Sequence, residues 1–300
     1  VGVTGGFNLD EVQTDAATTF NGIVNAKLID IDAATTITGA STFTTATVAA
    51  NSTLTGAVTA ATSITAAADV VLTFASNDIN VGTTGLILTH DSSPVVAATF
   101  SGADVTITGD INADDTDDAG ILNFTGAKTT VVGNLGAATG TNLLKGIVTA
   151  AKRLVIREGA NFINQIDFGN AAELEIGKEV TSGIVFNSTT DMVAANLKDT
   201  GVTKIYMPVN LAEGEALTLF DGASDTTLVT NLNEGLQDTV LTDYIATKPT
   251  TGDYVVTANE KSAKSVSDTL VVSINEARAL AAARISAIDD TNVEDTLEDT

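Results

Sequence analysis

"LVIREGANFINQIDFGN" (residues 154–170) is followed, at an offset of 20 residues, by "LEIGKEVTSGIVFNST" (residues 174–189). Each copy reads as a short alternating strand, a polar turn and a second short strand. A third and more degraded copy ends in "TKIYMPV" (residues 203–209). Similar segments fill the chain from about residue 25 to residue 257, among them "TTITGA", "STLTGA", "VTITGD" and "ILNFTGA". Turn glycines recur too: Gly39 and Gly56 are 17 residues apart, and so are Gly109 and Gly126.

Imperfect repeats of this length, each holding two or three short strands, are what one coil of a β-solenoid requires. Stacked coils repeat every ~4.8 Å and place Val, Ile, Leu and Phe in inward ladders, so a dozen coils would make a rod roughly 55 Å long. A stacked antiparallel sandwich spaces its strands similarly. The repeat offset favours the solenoid, and no helical crossover is visible between strands. The expected fold is therefore all-β, a parallel β-helix over residues 1–258, with the first 25 or so residues as a cap.

The composition agrees. Three prolines in 300 residues leave ladder hydrogen bonds nearly uninterrupted. Thr and Val, stiff at χ1, favour an extended backbone. There is no cysteine, hence no disulfide and no thiolate metal site. The net charge of −24 argues against nucleic acid and anionic lipid as partners, because like charges repel. No run of about 18 apolar residues is long enough for a transmembrane helix. A chain that starts at Val1 reads as a processed or excised segment.

Toward the C-terminus the period changes. Val266, Leu270, Ile274, Ala277, Ala281, Ile285 and Ile288 are spaced by 4, 4, 3, 4, 4 and 3 residues. That spacing predicts an amphipathic helix over residues 259–289, followed by an acidic tail at 290–300. Two uses of its stripe stand open: docking on its own domain, or a seam against another chain.

"ILNFTGAKTTVVGNLGA" and the block "LTLFDGASDTTLVTNLNEGLQDTVLTDYIATKPTTGDYVVTANEKSAKSVSDTL" resemble the passenger domains of bacterial autotransporters, in particular the surface antigens of rickettsial and related alphaproteobacteria. The resemblance covers roughly residues 120–283 and rests on strand and turn patterns, with no catalytic residue among them. It implies a right-handed β-helix exported through an outer-membrane barrel and displayed extracellularly, on the bacterial cell surface. It also implies a helical, Ala-rich linker after the last strand.

Candidate chemistry is sparse. In "GDINADDTDD", Asp110, Asn112 and Asp114 take positions 1, 3 and 5 of a calcium loop with dockerin-like spacing. Position 6 is Asp115 where Gly is wanted, and position 12 is Ile121 where a bidentate acid belongs. Asp117 and Asp118, or a neighbouring chain, would complete a Ca2+ shell; the plainer reading is a solvated loop between two rungs. Asp221 and Asp225 form a second acidic turn, read first as backbone caps. His90, with Asp91 and Ser92 beside it, cannot form a triad, because adjacent residues on an extended segment face opposite ways. Lys152, Arg153 and Arg157 make up the basic cluster a polysaccharide lyase would need; salt bridges to Glu158, Glu173 or Glu175 explain it as well. Asn51, Asn123 and Asn187 satisfy the glycosylation pattern, which a Thr-rich chain meets by chance.

The expected role is that of a non-enzymatic structural protein, a homo-oligomer or polymer forming a surface layer (S-layer) or filament with Ca2+ assistance. An adhesin is the alternative, and few exposed aromatics count against it.

Overall fold

The computed structural model describes residues 9–89, 96–114, 119–136, 144–149, 153–159, 161–163, 166–167, 173–180, 184–185, 197–198, 204–207, 211–221, 228–239, 241–247, 253–261 and 263–292. It is a parallel β-solenoid. One sheet begins with Leu9–Thr14, Val24–Ile31, Ser41–Val48 and Val58–Ala66 and continues to Leu236–Gln237; a second, nine-stranded sheet runs from Thr18–Phe20 to Leu197–Lys198. All pairs within these two runs are parallel, which rules out the antiparallel sandwich. The stack already starts at Leu9–Thr14, inside the segment the sequence suggests as a cap.

The repeat offsets are rungs. Val24 pairs with Ser41 and Ser41 with Val58, 17 residues apart each time. Leu154 lies on Leu174 and Ile156 on Ile176, the 20-residue offset read from the sequence. The third copy holds as well, with Leu174 on Ile205. One expectation fails: Gly109 and Gly126 are not stacked. Gly109 sits between Gly82 and Gly133, and Gly126 lies on Gly102, so those two glycines mark different corners of the coil. Coils lengthen beyond the first few, as Ile79 pairing with Ile107 shows. The stack is consequently nine strands deep on one face and eleven along the longest path of the other, roughly 40–50 Å.

Inward residues form columns. Ile29, Ala46, Ile64, Leu86 and Ile111 stack in register and are all buried. On the facing sheet Ile37 lies on Leu54, Leu54 on Phe74, Phe74 on Phe100 and Phe100 on Phe124. The rings of Phe74 and Phe100 stack at 5.1 Å and 7°, and Phe124 continues the column at 5.4 Å. Aromatic burial on this scale dominates core energetics.

Corners are built from small residues. Thr18, Thr35 and Ser52 each donate a hydroxyl to the carbonyl two residues back, at 2.6, 2.8 and 2.9 Å. Thr35 Oγ1 also meets Thr14 Oγ1 at 3.0 Å, and Ser52 Oγ accepts the Thr35 N–H at 3.2 Å, so these buried hydroxyls are satisfied. Gly22, Gly39 and Gly56 stack so closely that a Cβ on Gly39 would lie 2.3 Å from the Gly22 carbonyl carbon.

At its C-terminal end the pairing changes from parallel to antiparallel. Ala216–Asp221 still lies parallel to Ile184–Val185, but Tyr254–Glu260 adds to it antiparallel and Thr242–Thr247 pairs antiparallel to Tyr254–Glu260. A short helix, α1 (Leu228–Gly235), packs beside this hairpin, and a 30-residue helix, α2 (Ala263–Asn292), follows it. Strand therefore persists to Glu260, and the helix begins at Ala263. No helix among the described residues is long and apolar enough to cross a membrane.

Candidate functional site

Three surface features could carry function: the outward hydroxyl face, the acidic turn near Asp110, and the charged flank around Arg153.

The hydroxyl face follows from the "TTITGA" and "STLTGA" repeats. In three-residue strands the outer residues point inward and the middle one faces out. Thr19, Thr36, Thr53 and Thr73 are these middle residues, Thr99 continues the row on the longer strand Val96–Phe100, and each pairs in register with the next. Four of them line a shallow open depression of about 550 Å³, Thr19, Thr36, Thr53 and Thr73. Such a row offers hydroxyl donors and acceptors every ~4.8 Å. It holds no acid, base or cation, so it suits repetitive contact rather than bond breaking.

In the acidic run, Asp110 and Asp114 flank Ile111–Ala113, an extended strand paired with Leu86, Ile87 and Leu88. The three strand residues between them set Asp110 and Asp114 ~13 Å apart along the backbone. Asp110 is already engaged: its Oδ1 accepts the Asn134 backbone N–H at 2.8 Å and the Asn134 side-chain amide at 3.0 Å. It acts as a corner cap between rungs. Asn112 and Asp114 are half-buried, while Asp115, Asp117 and Asp118 lie outside the described residues. Among the described residues no three His, Asp or Glu side chains are grouped as metal ligands.

On the basic flank, Arg153 reaches Glu175 through Nε at 3.1 Å and Nη2 at 2.6 Å, and its guanidinium lies 4.1 Å from the centre of the Tyr206 ring. The salt-bridge reading of this cluster is thus realised with Glu175. Glu173 pairs with Lys204 at 3.4 Å. Arg157 is exposed, and Lys152 lies outside the described residues. Arg153 is held by a carboxylate on one side and a ring on the other, a cross-rung clamp.

Of the remaining sequence candidates, His90, Asp91, Ser92, Asp225 and Asn187 lie outside the described residues, and Asp221 ends the strand Ala216–Asp221. The Asn51 side-chain oxygen accepts the Val71 N–H at 2.7 Å, and Asn123 is half-buried in the second sheet.

Sequence reasoning missed one device. Thr242–Thr247 is the outer strand of the closing hairpin, yet its free edge is plugged by side chains. Asn233 on α1 accepts the Ala246 N–H at 2.7 Å and donates to the Ala246 carbonyl at 3.1 Å. Asp238 accepts the Tyr244 N–H at 3.0 Å. An edge so occupied cannot recruit another strand at those positions. The signal was there only as isolated Asn and Asp residues, which in sequence read as turn formers. Compared with protein-family models, curated proteins and solved structures, the chain matches none of them.

Proposed function

We propose that this chain is a structural rod of a bacterial cell surface, a passenger-like domain that assembles with copies of itself into a layer or filament. The observation that carries the reading is the uniform outer face. Five in-register threonines on successive rungs repeat the same contact group along the stack. Repetition of that kind suits a neighbour that is itself periodic, as another solenoid is. The plugged edge at Ala246 supports side-by-side contact over extension of the C-terminal sheet edge.

Calcium enters this reading as an accessory, held by the acidic run of Asp110, Asn112, Asp114, Asp115, Asp117 and Asp118, with a carboxylate of a neighbouring chain completing its shell. An adhesin is the second reading; the Arg153 guanidinium over the Tyr206 ring is a cation–aromatic pair that favours it. Light scattering of the purified chain in Ca2+, and then in excess chelator, tests the first reading. Growth of large particles that shrink on chelation supports assembly and the accessory ion. Small particles of constant size in both conditions would count against both, and binding to intact cells would then favour the adhesin.

A further inference from the structure

Asn21 and Gly22 form the one Asn-Gly pair in the sequence. Asparagine is a chemically labile residue, and a following glycine leaves the next backbone nitrogen without a Cβ beside it to obstruct attack. The pair lies at the corner between the strands Thr18–Phe20 and Val24–Ile31, where Asn21, Gly22 and Ile23 are all exposed. Backbone bonds pin the corner at both ends. The Thr38 N–H donates to the Phe20 carbonyl at 2.9 Å, and the Val24 N–H donates to the Ala40 carbonyl at 2.9 Å. Between them, among the described residues, neither the Asn21 side chain nor the Gly22 N–H has a hydrogen-bond partner.

Gly22 is also the first of three stacked corner glycines. A Cβ built on Gly39 or Gly56 would lie 2.3 Å from the glycine carbonyl carbon of the rung before, whereas one built on Gly22 meets nothing within 4 Å among the described residues. The backbone at Gly22 therefore has room to turn toward the Asn21 side chain. Other asparagines are tied down. Small Ser52 follows Asn51, but the Asn51 Oδ1 accepts the Val71 N–H at 2.7 Å and the Ser52 N–H donates to the Val71 carbonyl at 3.2 Å. Asn77 accepts the Asp104 N–H at 3.3 Å, and Asn80 accepts the Gly82 N–H at 2.9 Å.

We infer that Asn21 is a site of spontaneous deamidation. The Gly22 nitrogen gives up its proton and attacks the Asn21 side-chain carbonyl carbon. The new C–N bond closes a succinimide ring as the bond to the side-chain nitrogen breaks, and that nitrogen leaves with a proton as ammonia. Water then opens the ring at either carbonyl to give aspartate or isoaspartate, so water is the only co-reactant. Both products add a negative charge to the corner. Isoaspartate also routes the main chain through Cβ, which lengthens it between the two pinned ends and shifts Gly22 against the close-packed Gly39. The bonds at Thr38 and Val24 take that strain, while coils farther along touch only their own neighbours and keep their packing.

The full chain, held in mildly alkaline buffer, tests this by peptide mass spectrometry, with isoaspartyl methyltransferase to count isoaspartate. In the folded chain the amide-to-acid mass shift is expected at Asn21 and not at Asn51; in denaturant Asn51 joins it. Asn21→Gln and Gly22→Ala lose the shift at this corner, and the space beside Gly22 admits the added methyl without disturbing the fold. Amide exchange in the isoaspartate form speeds up at Val24 and Thr38 and is unchanged at Phe100. An Asn21 that keeps its amide in the folded chain but loses it in denaturant would overturn the site. An equal shift at Asn51 in the folded chain would overturn the structural basis for singling out Asn21. Unchanged exchange at Val24 and Thr38 would overturn the strain assigned to the corner.

Discussion

Gly39 shows how tightly single residues are specified along the corners. Its backbone lies against Gly22 below, and the Gly56 backbone lies against it above. Gly39→Val would drive side-chain carbon into the Gly22 carbonyl, and such overpacking costs about 1–3 kcal/mol; a fall in the denaturant midpoint checks it. Phe100 is specified from the inside, between two aromatic neighbours and fully buried. Phe100→Ala should cost about 3–5 kcal/mol through lost burial and the cavity left behind, read in the same unfolding experiment. Both residues were legible in part. The spacing of Gly39 and Gly56 marked the rung, and "ILNFTGA" marked the strand whose Phe124 packs on Phe100. The role of Asp110 was not legible, because alternate acids look the same on a calcium turn as on a strand beside a capped corner. The difference lies in Asn134, which reaches Asp110 from the next rung and has no local sequence signal.

Among elements, the closing hairpin decides how the sheet ends. Asn233→Ala would leave the Ala246 N–H and carbonyl without their side-chain partner. Faster amide exchange at Ala246, with an increased tendency to associate, is the expected result. The hairpin also has a pH limit. Burial, and then the negative charge of Asp238, push the Tyr244 phenol above its ordinary range near 10. A raised acid stabilises the fold fully below the unfolded value, and that stability is lost as pH rises through the folded one. Melting temperature should therefore fall above pH 10, and part of that fall should vanish in Tyr244→Phe. Strand and helix were both visible in sequence through their periods of two and about 3.6. Their boundary was less so, since "TANEKSAK" carries no apolar residue frequent enough to fix either period. The free stance of α2 also went unread: a stripe predicts a partner but does not say whether that partner is the same chain.

For the whole molecule, the solenoid was read correctly because its repeats are short and local. An offset of 17 or 20 residues is visible by eye, whereas the longer later coils, such as Leu174 to Ile205, need the structure to be counted. At the C-terminal hairpin, side chains occupy the sheet edge at Tyr244 and Ala246. The proposed assembly is therefore expected along the flanks. Negative-stain imaging of the purified chain over a concentration series is the most direct test of the central claim. Layers or filaments with one repeat, built from rods roughly 40–50 Å long in their solenoid portion, are the predicted result. Isolated rods at every concentration, with no order between them, would contradict it.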